Sequence, residues 1–293
     1  MPLPNEFVFD NPRCFANHLG PWAIEPQWMK NAVNLMKNGV LAESAPVEEL
    51  ETDFQLLSSG IAVLHISGQM QKGFSKFGGT STIEARKLLR QAVRAESVKE
   101  ILMVVDSPGG TVAGTAELAD DISAADQIKP ITVQVVDLAA SAALWVSSQA
   151  REVFSNRMAQ IGSIGVFSVV EDTSGEMERK GVKVHVISTG EHKGAMVPGS
   201  EVTDEHLAEL QRSVDAFNEV FIEAVATGRD MSAEQVEQIA DGRMFHAPEA
   251  LELGLIDRIQ SLDETIKMME ARISTRERAT RESALIKRME RMK

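Results

Sequence analysis

The sequence predicts an α/β protein built on a mostly parallel sheet with helices on both faces. Three observations carry that expectation. Short runs of branched apolar residues recur from Gly60 onward, helical patterns separate them, and the runs end in glycines or small polar residues. A chain of 293 residues, 43% hydrophobic and 25% charged, has room for one large domain or two modest ones.

The elements follow in order. Residues 12–40 read as helical, with Trp28, Val33, Leu35 and Met36 at helical spacing. Leu41 to Asp53 is an acidic stretch around Pro46 and reads as a linker. Ile61–Ile66 is a strand candidate, Ser81–Ala95 a helix, Ile101–Val105 a strand and Val112–Ala125 a helix. Ile131–Val136 follows as a strand, Ala139–Gln149 as a helix, then Glu152–Phe154 and Val184–Ile187 as strands. Thr203–Thr227 is a long amphipathic helix with Leu207, Leu210, Val214, Phe217, Phe221 and Val225 on one side. Asp204 and Glu205 suit its amino terminus, but Thr203 with His206 is not expected to form a capping box. Ser232–Ala240 and Ala247–Leu253 complete the helices, the last closed by Gly254. Ser274–Lys293 carries seven Lys or Arg against three Glu with few apolar residues, the pattern of a solvated helix or a disordered tail. The expected division is residues 1–57 as an arm and linker, 58–262 as the main domain and 263–293 as a basic tail.

Composition removes several function classes. A net charge of −13 argues against nucleic acid as a partner. A single cysteine, Cys14, excludes an internal disulfide and a multi-cysteine zinc site, and reads as a plain thiol. No segment approaches the ~18 consecutive apolar residues of a membrane span. The first eleven residues, with Pro2, Pro4, Glu6 and Asp10, lack the pattern of a secretory signal, so the expected compartment is the cytoplasm.

Asp106-Ser107-Pro108-Gly109-Gly110 directly follows an apolar strand. Two consecutive glycines there either form a tight turn or expose amides able to hold an oxyanion. In Asp137-Leu138-Ala139-Ala140-Ser141-Ala142-Ala143, a lone serine among alanines stands where a strand runs into a helix. Its hydroxyl would lie at a helix amino terminus, where developing negative charge is favoured, or it is simply a small packing residue. A serine nucleophile needs a base. None of His18, His65, His185, His192, His206 and His246 falls in a clear Ser-His-Asp arrangement. A desolvated lysine is the alternative, and Lys193, after a strand candidate and before Gly194, has the context of a positioned loop residue.

Five motifs occur in a fixed order: Asp106-Ser-Pro-Gly-Gly-Thr-Val, Ala140-Ser141-Ala142, Ile161-Gly-Ser163-Ile-Gly-Val166, Gly190-Glu-His-Lys193, and Gly242-Arg-Met-Phe245 with Ala250-Leu-Glu-Leu-Gly-Leu-Ile-Asp257. Together they resemble the signal peptide peptidase A family of Ser-Lys peptidases over roughly residues 60–260. The resemblance implies a Clp-protease/crotonase-like ββα-superhelix with a mostly parallel sheet, here with an amino-terminal helical arm and a charged carboxy-terminal helical tail. It implies Ser141 as nucleophile, Lys193 as general base, Ser163 as the residue that orients the lysine, and the amides of Gly110 and Ala142 as the oxyanion hole. The sequence departs from the family in having Ala142-Ala143 where glycines often follow the serine. The family needs no metal or organic cofactor, and its members form rings or domes in which serine and lysine can come from adjacent subunits.

The opening with Pro12, Pro21, Trp22, Pro26 and Trp28 resembles the phage and prophage branch, the lambda-type minor capsid protein C group. That implies a capsid-assembly protease acting on scaffold, portal or capsid protein in the host cytoplasm or procapsid, as a homo-oligomer without a stable membrane anchor. The alternatives are a cytosolic peptidase that degrades signal peptides, a crotonase-like acyl-CoA enzyme, and a non-catalytic assembly protein that keeps the fold only.

Overall fold

The computed structural model describes residues 21–27, 29–30, 54–74, 78–190 and 192–291. Cys14, the 41–53 stretch and most of the expected amino-terminal helix lie outside them. Eight strands form the main sheet. β3 (Ile61–Ser67), β6 (Glu100–Ser107), β8 (Ile131–Ala140), β9 (Glu152–Ser155) and β10 (Gln160–Gly162) run parallel, as does β12 (Arg258–Ile259) beside β9. Only β2 (Gln55–Leu56) and β11 (Met244–His246), at the two edges, run antiparallel. A smaller sheet has the order β1 (Trp22–Ile24), β7 (Gly109–Thr111), β4 (Met70–Gln71), β5 (Thr80–Ser81).

Strand alternation divides the core between two faces. Ala62, Leu64 and Ile66 of β3, with Ile101, Met103 and Val105 of β6, join the larger cluster. There they meet α1 (Thr82–Arg94), α2 (Thr115–Asp126), α3 (Ala142–Ser147) and the end of α5 (Asp204–Gly228). Ile61, Val63, Leu102 and Val104 point the other way and pack against Met269 and Ile273 of α8 (Leu262–Glu290). Burial on both faces explains why these strands read as continuous apolar runs.

The first turns of α8 therefore belong to the folded body, while residues 278–291 are exposed throughout. Between them Arg272 bonds Glu100 and Glu152, each at 2.7 Å, and Arg276 bonds Glu100 at 2.9 Å. Glu100 is fully buried, so these two guanidinium groups are what make its charge tolerable.

Several expectations change. Trp22–Ile24, inside the stretch read as helical, is a strand, because Pro21 and Pro26 bracket it and three residues carry no periodicity. Val184–Ile187 joins no sheet; it lies in an irregular segment with Ile187 97% exposed, so its β-branched residues have no edge to pair with. Thr203 and His206 do form a capping box: the Thr203 Oγ1 accepts from the His206 amide and the His206 Nδ1 accepts from the Thr203 amide, each at 3.3 Å. A neutral imidazole nitrogen takes the acceptor role usually given to Glu or Gln. Two short helices, α6 (Ala233–Glu237) and α7 (Ala247–Glu252), follow α5.

Candidate active site

The parallel strands all end at one edge of the sheet, the place where α/β sheets assemble sites. β8 runs to Ala140, further than its apolar pattern suggested, and Ser141 is the amino-terminal cap of α3. Its φ of 54° and ψ of −119° are strained for a residue with a side chain, as on the sharp strand-to-helix turns that carry nucleophiles. Three contacts hold that conformation. The Ser141 amide donates to Gly162 O at 2.8 Å, its carbonyl accepts from the Trp145 amide at 2.9 Å, and its hydroxyl reaches Gly165 O at 3.5 Å. Trp145 in turn stacks on Phe221 of α5, ring centroids 4.7 Å apart, which fixes α3 against the body.

Ser163 stands beside this turn. β10 pairs with β8 in the register Gly162 to Ala140, so Ser141 and Ser163 occupy equivalent positions one residue past neighbouring strands. Ser163 also has positive φ, 52°, and its amide donates to Arg243 O at 2.7 Å. Both serines are buried, at 0% and 3% exposure.

The glycine turn closes the third side. Ser107 donates its hydroxyl to Gly68 O at 2.6 Å and accepts from the Gly109 amide at 3.2 Å. Gly109 has φ +90°, and a side chain there would begin 2.7 Å from Ala140 O and 2.9 Å from Ala142 N. At Gly110 a Cβ would sit 1.7 Å from Met70 O, so only glycine fits between β4 and the turn. The first amides of a helix lack intrahelical partners, which leaves Ala142 N–H able to serve a ligand. Just behind, burial raises the Asp106 carboxyl pKa and Asp137 adds to the shift, against a hydrogen bond from the Leu138 backbone.

The structure thus brings Ser141, Ser163, Gly110 and Ala142 together at one strand edge. Lys193 is elsewhere. It lies exposed in the turns between α4 (Ser174–Arg179) and α5, with its amide bonded to Gly190 O at 3.1 Å. Among the described residues no hydrogen bond or ion pair links its amine to either serine. The sequence reading missed Ser107 and Arg243 as supports of the site; Arg243 acts through its backbone carbonyl, which leaves no residue-type signal.

A buried, strained serine capping a helix, flanked by glycine amides at the carboxyl ends of parallel strands, is an arrangement suited to nucleophilic attack with oxyanion stabilisation. The model of Peptidase family S49 matches residues 123–275, which include Ser141, Ser163 and Lys193. The chain belongs to that family. It is 31% identical over 224 residues to capsid assembly protease C of Escherichia phage lambda, covering 74% of this chain and 50% of that protein. It is 28% identical over 221 residues to protease 4 of Haemophilus influenzae, covering 74% and 35%. With the head-tail preconnector protein GP5 of Enterobacteria phage P21 it shares 30% identity over 220 residues, covering 72% and 43%. The chain spans about half or less of the length of these relatives. Among solved structures, the ClpP protease catalytic domain from Plasmodium falciparum overlaps 69% of this chain and 85% of its own at a TM-score of 0.42 and 14% identity. No helix among the described residues is long and apolar enough to cross a membrane.

Proposed function

We propose that the chain is a Ser-Lys endopeptidase that matures phage capsids by cleaving scaffold or capsid protein. The strained Ser141 turn, with Ser163 and the Gly109-Gly110 amides packed around it, is the observation that carries the reading. The Lys193 amine takes the proton of Ser141 Oγ as that oxygen bonds to the substrate carbonyl carbon. The Gly110 and Ala142 amides hold the oxyanion, at roughly 3 kcal/mol per donor. As the tetrahedral intermediate collapses, the C–N bond breaks, the lysine proton passes to the leaving amine and an ester to Ser141 remains. Water, losing its proton to Lys193, then attacks the ester carbon, and as the C–Oγ bond breaks the lysine passes that proton to Ser141 Oγ. Ser163 orients the amine.

The lysine comes from a neighbouring copy of the chain in this reading. Its segment is exposed and offers Val182, Val186 and Ile187, at 49%, 43% and 97% exposure, as apolar surface for a partner. The capsid role draws on the likeness to capsid assembly protease C of phage lambda. The test is co-expression with a scaffold protein and mass spectrometry of the products. Discrete fragments with wild type and intact scaffold with Ser141→Ala are expected; intact scaffold with both would overturn the reading. Likeness to an Enterococcus faecium protein named as an SppA signal peptide peptidase, 31% identical over 172 residues, favours degradation of signal peptides as the second reading. Cleavage of free signal peptides with scaffold left intact would select it.

A further inference from the structure

A strand from the amino-terminal arm lies in the groove beside Ser141. β1 runs antiparallel to β7 with Ala23 opposite Gly110. Two hydrogen bonds bracket the pairing: Glu25 N–H to Pro108 O at 2.7 Å and Val112 N–H to Pro21 O at 3.2 Å. Hydrogen-bonded pairs in an antiparallel ladder recur at every second residue, so Ala23 and Gly110 form the bonded pair between them. The Gly110 amide is therefore aimed at the Ala23 carbonyl.

The other edge of β1 is paired as well. Trp22 donates to Phe167 O at 2.8 Å and accepts from the Phe167 amide at 3.0 Å, four residues past Ser163. Main-chain hydrogen bonds to a sheet edge are one way proteins grip an extended peptide, and β1 makes such bonds on both of its edges. The geometry at its centre is more telling. Ala23 O and Ala142 N lie 2.4 Å and 2.9 Å from one point, the position at which a Gly109 side chain would begin. The Ala23 carbonyl thus lies beside the same two amides, Gly110 and Ala142, that would receive a reacting carbonyl. Trp22, Ala23 and Ile24 are 7%, 0% and 1% exposed, and Ile24 and Pro26 line one cavity with Ser163 and Gly165.

We propose that Trp22–Ile24 is an internal occupant of the substrate groove. The groove takes an extended peptide antiparallel to Gly109–Thr111, with a small side chain on the residue whose carbonyl meets the two amides and large apolar side chains on its neighbours. The arm keeps the groove closed until it is displaced. Naming this groove as the substrate's rests on the peptidase reading above; the strand pairing does not. A tethered occupant competes at an effective concentration on the order of millimolar, so a free peptide meets a groove that is already filled.

The test uses a fluorescent peptide with the sequence of Gly20–Gln27 and the full chain in three forms: wild type, Ala23→Asp, and Ala23→Asp with Ser141→Ala. A carboxylate at a fully buried position expels the strand. Anisotropy should show both variants binding the peptide at least ~10-fold more tightly than wild type, while a peptide carrying the same Asp does not bind. A serine-directed fluorophosphonate should label Ser141 at least ~10-fold faster in Ala23→Asp than in wild type. Trp22→Ala, a milder change, should shift both readouts in the same direction and replaces Ala23→Asp if circular dichroism shows that chain unfolded. Equal peptide binding by folded wild type and variants overturns the occlusion, whatever the chemistry. Peptide binding as expected with no labelling of any chain upholds the occupied groove and defeats the peptidase reading instead.

Discussion

Ser141 and Lys193 stand in opposite kinds of structure. Ser141 is fully buried, its backbone is strained, and it is held by Gly162 of β10, Trp145 of α3 and Gly165 just beyond β10. Lys193 lies on an exposed segment without strand or helix, tied down chiefly at its ends, where Asp172 accepts from the Val202 amide and Thr203 caps α5. One half of the proposed dyad is prepaid by the fold. The other half waits for something to order it. A strained nucleophile is worth maintaining only where surrounding structure enforces it, whereas a lysine that must lose water to act as a base needs a second surface to exclude that water. Under the proposed reading, the contrast is what a copy would show if it held the serine and the amides but took its base from a partner.

Substitutions on the two sides should separate these roles. The largest effects fall on the chemistry. Ser141→Ala and Lys193→Ala should each lower turnover by about 10⁴-fold or more with unchanged melting curves. Equal loss from both would tie the exposed lysine to the buried serine, while an active and folded Lys193→Ala would break the comparison at once. Next comes the foundation of the rigid half. Arg272→Met leaves buried Glu100 with Arg276 alone and should destabilise the chain by about 3 kcal/mol in denaturant titration. The anchor of the loose half is weaker: Thr203→Ala should cost about 1 kcal/mol through the α5 cap, with a larger fall in activity than Arg272→Met produces below its melting temperature.

The smallest expected effect is on pH dependence. Burial would raise the Asp121 pKa, but hydrogen bonds from Arg86 and Arg90 outweigh it and hold the carboxyl below its ordinary value. A depressed carboxylate stabilises the fold above its unfolded pKa, and that contribution disappears as pH falls through the folded value. Stability of wild type should therefore decline below about pH 4 more steeply than that of Asp121→Asn. Parallel acid limbs would show that the α1–α2 ion pairs contribute nothing.

The sequence made the rigid half readable and the loose half misleading, for physical reasons. Ile61–Ile66 and Ile101–Val105 are buried on both faces, so their apolar runs admit one interpretation. Ser141 stood out as a lone serine where a strand runs into a helix, a pattern that packing alone also produces, and Ser163 was marked only by the family resemblance. Val184–Ile187 has the same residue types but no neighbouring edge, and residue type alone does not supply a partner. β1 escaped because a three-residue strand has no period, and its stability comes from β7 and Phe167, both far away in sequence. The His206 cap escaped because the Nδ1 of histidine accepts only in the tautomer that carries its proton on Nε2. Local context only suggested Lys193 as a positioned loop residue after a strand, and that strand did not form; its pairing with Ser141 rested on the resemblance.

The central claim is that the serine of one copy is served by the lysine of another. Mixing Ser141→Ala chains, which retain the lysine, with Lys193→Ala chains, which retain the serine, tests it directly on a single peptide substrate. The account predicts that two inactive preparations regain peptidase activity on mixing, because some assemblies then pair an intact serine with an intact lysine. Mixtures that stay inactive, alongside an active wild type of the same assembly state, would place both residues in one chain and contradict it.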